Sequence, residues 1–224
     1  MIEEEVRQQW LTWFRQQGEE AYYTNCKTGA GVKAVSKAAE LVGVAVNQKR
    51  NSRGLLPRPV RAVVIGFPNV GKSALINRLL NRKIVASARK AGVTRQLRWV
   101  RLSEEIELLD APGVIPVRLD NQEDAVKLAI CEDIGDAGYD NELITTRLID
   151  LLKELDTAQV LKNRYKLDPQ TMTGEEYLEA LALSRYQGEK EKAAMTILND
   201  FRTRNLGAIA LEFPPVKCAK IVTE

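Results

Sequence analysis

RAVVIGFPNVGKSALINRLL, residues 61–80, decides how the rest of the chain is read. Three consecutive β-branched residues, Val63, Val64 and Ile65, run into Gly66, and residues 66–73 then satisfy G-x-x-x-x-G-K-[ST]. The pattern predicts a P-loop between a strand and an amphipathic helix whose apolar positions are Leu75, Ile76, Leu79 and Leu80. Gly66 and Gly71 let successive N–H groups face one concavity, and the following helix N-terminus adds its positive dipole end. Such a concavity fits nucleotide phosphates. Lys72 would reach the β- and γ-phosphates as a point charge, and the Ser73 hydroxyl would ligate the magnesium ion that bridges them.

Working outward, the 224 residues are 45% apolar and 28% charged, a globular rather than a disordered composition. No apolar run reaches membrane-spanning length, and the acidic start MIEEEVRQQW is unlike a signal or transit peptide. The expectation is a soluble, reducing compartment with no membrane partner: the cytoplasm, or an organelle stroma or matrix if a transit peptide lies upstream. Cys26, Cys131 and Cys218 are isolated and have no metal-type spacing. Histidine is absent, which removes His-based triads, His general bases and most zinc sites. Catalysis must rest on phosphates, metal, carboxylates, amides and backbone.

The net charge of +3 conceals a local pattern. Residues 44–61 carry Lys49, Arg50, Arg53, Arg58 and Arg61 with no acid, and residues 82–101 carry Arg82, Lys83, Arg89, Lys90, Arg95, Arg98 and Arg101, again with none. Two basic segments flank the predicted nucleotide site. They read either as solvated loops or as a surface for a phosphate-rich partner such as RNA; segregation of the acids favours RNA.

Residues 3–17 predict a helix whose Val6, Trp10, Trp13 and Phe14 form one apolar, core-facing stripe. Residues 21–24 predict a short strand, residues 32–41 a second amphipathic helix, and residues 43–60, with Gly43, Gly54, Pro57 and Pro59, a linker. Residues 96–102 and 106–109 read as two strands joined by a hairpin-like turn. The second runs into Asp110-Ala111-Pro112-Gly113, which puts a carboxylate at the strand rim where α/β sheets bind ligands. Asp110 could hold magnesium through water and the Gly113 N–H could meet a γ-phosphate. Helical spacing follows over residues 125–134, 141–155, 173–186 and 189–205. The expected fold class is α/β followed by an all-helical domain. Boundaries are expected at 1–43, 44–60 (basic linker), 61–120 (P-loop and switches), 121–213 (helical) and 214–224 (tail).

GFPNVGKS, Gly92-Val93-Thr94, DAPG and TNCKTGAGV together resemble a translational-type P-loop GTPase. TNCKTGAGV is similar to the S-A-K-x-x-x-G segment that normally closes a GTPase domain, yet it precedes the P-loop, so the domain reads as circularly permuted. With a helical C-terminal domain containing LNDFRTRNLGAIALE, residues 1–213 resemble the ribosome biogenesis GTPase A, or YlqF-type, family. The resemblance implies binding of GTP and GDP with Mg2+, and hydrolysis of GTP during assembly of the large ribosomal subunit. It implies contact with rRNA, through an RNA-binding helical domain, and none with DNA. It makes Asn69, Val70, Gly71, Lys72, Ser73 and Ala74 the phosphate loop, Thr94 the switch threonine on magnesium, and Asp110 to Gly113 the second switch. Lys72, Thr94 and Gly113 would carry catalysis. Ser73, Thr94 and Asp110 would hold magnesium, and Asn25, Cys26 and Lys27 would lie at the base, the Cys26 N–H near guanine O6. Asn69 matches an asparagine that holds K+ in potassium-stimulated GTPases, or else simply shapes the loop. Val114 stands where many GTPases have a water-orienting glutamine, so unaided hydrolysis should be slow. The guanine-reading Asn-Lys-x-Asp is not in the sequence and would lie before Met1, so the chain reads as an N-terminally truncated member. Two alternatives stay open: a non-hydrolysing rRNA-binding fragment and a P-loop ATPase.

Overall fold

The computed structural model describes residues 2–81, 98–103, 106–111, 121–133 and 139–215. In chain order the elements are α1 (Glu4–Gln16), α2 (Val32–Asn51), β1 (Val60–Val64), α3 (Lys72–Leu79), β2 (Arg98–Arg101), β3 (Ile106–Asp110), α4 (Gln122–Ile130), α5 (Asn141–Glu154), α6 (Gln159–Tyr165), α7 (Gly174–Arg185) and α8 (Lys190–Arg202). The chain divides into two compact units, one of residues 22–139 and one of residues 1–21 with 140–224.

The first unit is built on a three-stranded sheet of order β1-β3-β2, with β1 parallel to β3 and β2 antiparallel to it. Alternation places Ala62, Leu108 and Val100 on one face in register, and Arg61, Glu107 and Arg101 on the other. Ile76 of α3 buries itself against Ile106 and Leu108, and Ala39 of α2 with Ala62, Val64, Leu79, Leu80 and Leu102 closes this small core. On the opposite face Arg61 pairs with Glu107 at 3.1 Å and lies over the Trp99 ring, while Val63 and Trp99 stay 52% and 48% exposed.

In the second unit α5, α7 and α8 pack on one another around Leu148, Ile149, Leu152, Tyr177, Leu178, Leu181, Ile197 and Leu198, all buried. Asp140 caps α5 through the amides of Glu142 and Leu143, and Thr173 with Glu176 forms a capping box on α7. Gly174 permits the close approach of α7 to α5, since a Cβ there would lie 2.4 Å from the Thr146 carbonyl. Asp200 is buried and accepts from Arg164 Nε (2.8 Å), Tyr165 OH (2.9 Å) and Asn205 Nδ2 (2.8 Å). Burial pushes its pKa up, but those three hydrogen bonds outweigh burial and hold the carboxyl below the ordinary carboxylate range.

Four sequence expectations are corrected here. Residues 21–24 are not a strand, because no described strand lies beside them to complete a ladder. Residues 44–51, read as linker, continue α2, because Gly43 is not a stop: it packs where an added Cβ would come 3.4 Å from Val60 Cγ2. Of the α1 stripe Val6 alone is buried. Trp10, Trp13 and Phe14 satisfy one another instead, with ring centroids 5.0 to 5.9 Å apart, and remain half-exposed. Finally, α4 belongs to the unit with the sheet, so the division falls at 139/140 rather than 120/121.

Candidate nucleotide-binding site

The sequence closes β1 with Val64 and turns through residues 65–71 into α3. The turn ends at Gly71, which has φ 100° and forms the N-cap of α3 with no side-chain cap. The first-turn amides of a helix have no intrahelical acceptor, so a bare N-terminus of this kind offers donors and a positive dipole end to an anion. Lys72, Ser73 and Ala74 form that first turn. The Lys72 ammonium folds back on the loop, donating to the carbonyls of Phe67 at 2.6 Å and Gly66 at 3.1 Å. Those are two neutral acceptors for a cation, a weaker arrangement than a phosphate would provide. Asn69 sits in the left-handed region (φ 60°), and its Nδ2 donates to the Glu132 carbonyl at 2.7 Å. Val70, half exposed, continues the loop, its N–H bonded to Pro68 O.

Ahead of the P-loop, Asn25 folds residues 25–31 into a compact turn. Its Oδ1 accepts from the amides of Lys27 (3.0 Å) and Thr28 (3.2 Å), and its backbone exchanges bonds with Ala30 and Gly29. The Thr28 hydroxyl accepts from Ala30 N. Cys26 is half-buried, and among the described residues its N–H has no acceptor. Gly31, the N-cap of α2, sits so close to the Tyr23 carbonyl that an added Cβ would lie 1.9 Å from it. Arg78 of α3 reaches this turn and donates to Thr28 O at 2.9 Å. No local pattern signals that contact, or the one between Asn69 and Glu132, because each joins residues far apart in the chain.

Asp110 ends β3 directly beside Val64 of β1, so its backbone stands at the rim from which the P-loop departs. Its side chain lies outside the described part of the structure, as do Thr94, Gly113 and Val114. The structure therefore brings Asn25, Cys26 and Lys27 into one turn and residues 69–74 into one loop-helix junction, both on the α2–α3 layer. Among the described residues no cluster of three or more His, Cys, Asp or Glu could cage a metal. The Ser73 hydroxyl in the first turn of α3 is a hard oxygen donor of the kind Mg2+ takes beside water and substrate phosphates.

Residues 61–178 match the family model described as "50S ribosome-binding GTPase". A ribosome biogenesis GTPase A from Bacillus cereus is 28% identical over 96% of this chain and 74% of its own length. One from Priestia megaterium is 32% identical over 93% of this chain and 75% of its own. A YlqF from T. maritima with GNP bound superimposes with a TM-score of 0.60 at 19% identity, covering 95% of this chain and 77% of that one. A GDP-bound YlqF structure gives 0.61 at 20%, over 95% and 79%. At such identities the likeness concerns the fold, which is that of a P-loop GTPase followed by helices. The chain belongs to the 50S ribosome-binding GTPases, and among them to the ribosome biogenesis GTPase A family.

Proposed function

We propose that this chain binds GTP at the P-loop and the Asn25 turn, and hydrolyses it to GDP and phosphate to time a step in assembly of the large ribosomal subunit in the cytoplasm. The observation that carries the reading is the pairing of a helix N-terminus without a side-chain cap, with Lys72 at its first position, and a turn in which, among the described residues, the Cys26 amide has no acceptor. On binding, the Lys72 ammonium exchanges the Gly66 and Phe67 carbonyls for the β- and γ-phosphates, and the amides at residues 70–74 follow the phosphate oxygens. The Cys26 N–H meets guanine O6, with Asn25 and Lys27 shaping the edge of the base site. Ser73, Asp110 and Thr94 would hold Mg2+, which supplies charge neutralisation at the phosphates; the Gly113 N–H would meet the γ-phosphate.

Asn69 is the candidate for a K+ ligand: its Nδ2 is fixed on Glu132 O, which leaves Oδ1 as the acceptor to offer a cation. Val114 has no group to orient water, so turnover by the chain alone is slow and a ribosomal surface completes the site. The exposed Lys49, Arg53 and Arg58 supply part of a surface for rRNA. GTP turnover by the purified chain, measured with and without large ribosomal subunits in K+ and in Na+, tests this reading. Slow basal turnover that rises with subunits, more in K+ than in Na+, is expected. Fast turnover independent of the ribosome would contradict the roles given to Val114 and to the subunit.

A further inference from the structure

Arg78 stands on the exposed side of the last turn of α3, six residues beyond Lys72 and so roughly 9 Å along the same rigid helix. Among the described residues it makes no ion pair; its polar contact is the Thr28 carbonyl, 2.9 Å from Nη2. The guanidinium does not merely touch the turn at one atom. A Cβ added at Gly29 would lie 2.4 Å from Nη2, 2.9 Å from Nε and 3.0 Å from Cζ, so the planar group is laid against the Gly29 backbone in a space only glycine leaves open, and Gly29 has φ +85°. Within the turn, Asn25 Oδ1 takes the amides of Lys27 and Thr28, and the Thr28 hydroxyl takes that of Ala30. Arg78 is the clamp from outside that fixes this turn against the phosphate-loop helix, while the Cys26 amide is left as a donor.

We infer that Arg78 is a positioning residue for purine selectivity: it holds the Asn25 turn at a set distance from the phosphate cradle, so that the Cys26 N–H falls on the base's 6-position when the phosphates are seated. The inference rests on the GTP reading above and adds to it the residue that couples base recognition to the P-loop. An oxygen at the 6-position accepts from this amide, whereas the amino group of adenine presents a donor to a donor. A turn released from Arg78 loses that distinction without altering the phosphate site. A lysine keeps one donor for Thr28 O but not the planar group that lies on Gly29.

Equilibrium titrations of GTP, ATP and inorganic tripolyphosphate against the whole chain, its Arg78→Met and its Arg78→Lys variants test this. With the Asn-Lys-x-Asp motif not in the sequence, the wild-type chain should prefer GTP to ATP only by the roughly three- to tenfold that one amide contact supplies. Arg78→Met should lose roughly three- to tenfold in GTP affinity, the worth of one hydrogen bond, with ATP and tripolyphosphate affinities and the thermal midpoint unchanged. Arg78→Lys should fall between the two. A GTP to ATP ratio that is the same in Arg78→Met as in wild type would overturn the inference alone. A wild-type chain with no preference for GTP would overturn the GTP reading and the inference with it.

Discussion

Helices α5 and α7 begin at Asp140 and Thr173, whose side chains accept the first free amides, whereas α2 and α3 begin at Gly31 and Gly71 with no side chain in that place. These two pairs of helices treat the same local problem in opposite ways. In the helical unit the apolar side chains of α5, α7 and α8 are buried in one layer from Leu148 to Leu198. In the sheet unit, among the described residues, the buried cluster under the strands is Ile76, Ile106 and Leu108, and Val63 and Ile65 are exposed. The helix after the P-loop thus presents a first turn without a side-chain cap, which α5 and α7 do not. A site that retains unsatisfied groups is stabilised less by itself and more by what it binds.

The sharpest way to break this contrast is to open the helical core. Leu148→Ala, at a fully buried position, should cost about 2–5 kcal/mol, read by urea unfolding of helical signal, with GTP affinity unchanged. A parallel loss of nucleotide binding would show that the units do not differ as described. Saturating GTP, at about a hundred times its dissociation constant, should add about 2.7 kcal/mol of protection from hydrogen exchange across residues 25–31 and 66–79. Residues 141–202 should be little changed, and uniform protection of both units would contradict the contrast. Gly174→Ala should destabilise the helical unit by about 1–3 kcal/mol, because the new methyl meets the Thr146 carbonyl and backbone cannot yield cheaply.

The smallest effect concerns pH. Asp200 has a folded pKa below its ordinary 3.8, so its contribution is complete above that value and is lost as pH falls toward the lowered one. Acid unfolding of the helical unit should accordingly shift to higher pH in Asp200→Asn. An unchanged acid midpoint would remove Asp200 from the stabilising groups.

Much of the architecture could be read from local pattern. The P-loop context, the 98–110 hairpin, and α5, α7 and α8 with ends within a few residues all follow from periodicity and cap residues that act over one or two turns. What escaped the sequence depends on distant partners. Gly43 looks like a breaker until Val60 is seen beside it, and the aromatic stripe of α1 looks like core until its rings are found stacked on one another. Helix α6, seven residues long, is too short to show a period, and it is held by Tyr165 and Arg164 meeting Asp200 from another helix. In the candidate site, the motif residues were legible because phosphate chemistry demands particular residue types at fixed spacing. Arg78 and Glu132 were not, since an exposed arginine and a backbone carbonyl carry no motif.

The most direct measurement is an equilibrium titration of a fluorescent GTP analogue against the purified chain and its Lys72→Ala variant. Lys72 is the mobile cation of the loop, within 3.1 Å of both the Gly66 and Phe67 carbonyls. Saturable binding by the chain, weakened by about a hundredfold or more in the variant as expected for loss of a charged hydrogen-bonding partner, is the predicted result. Equal affinities for the two proteins would contradict the assignment of this loop as the phosphate site.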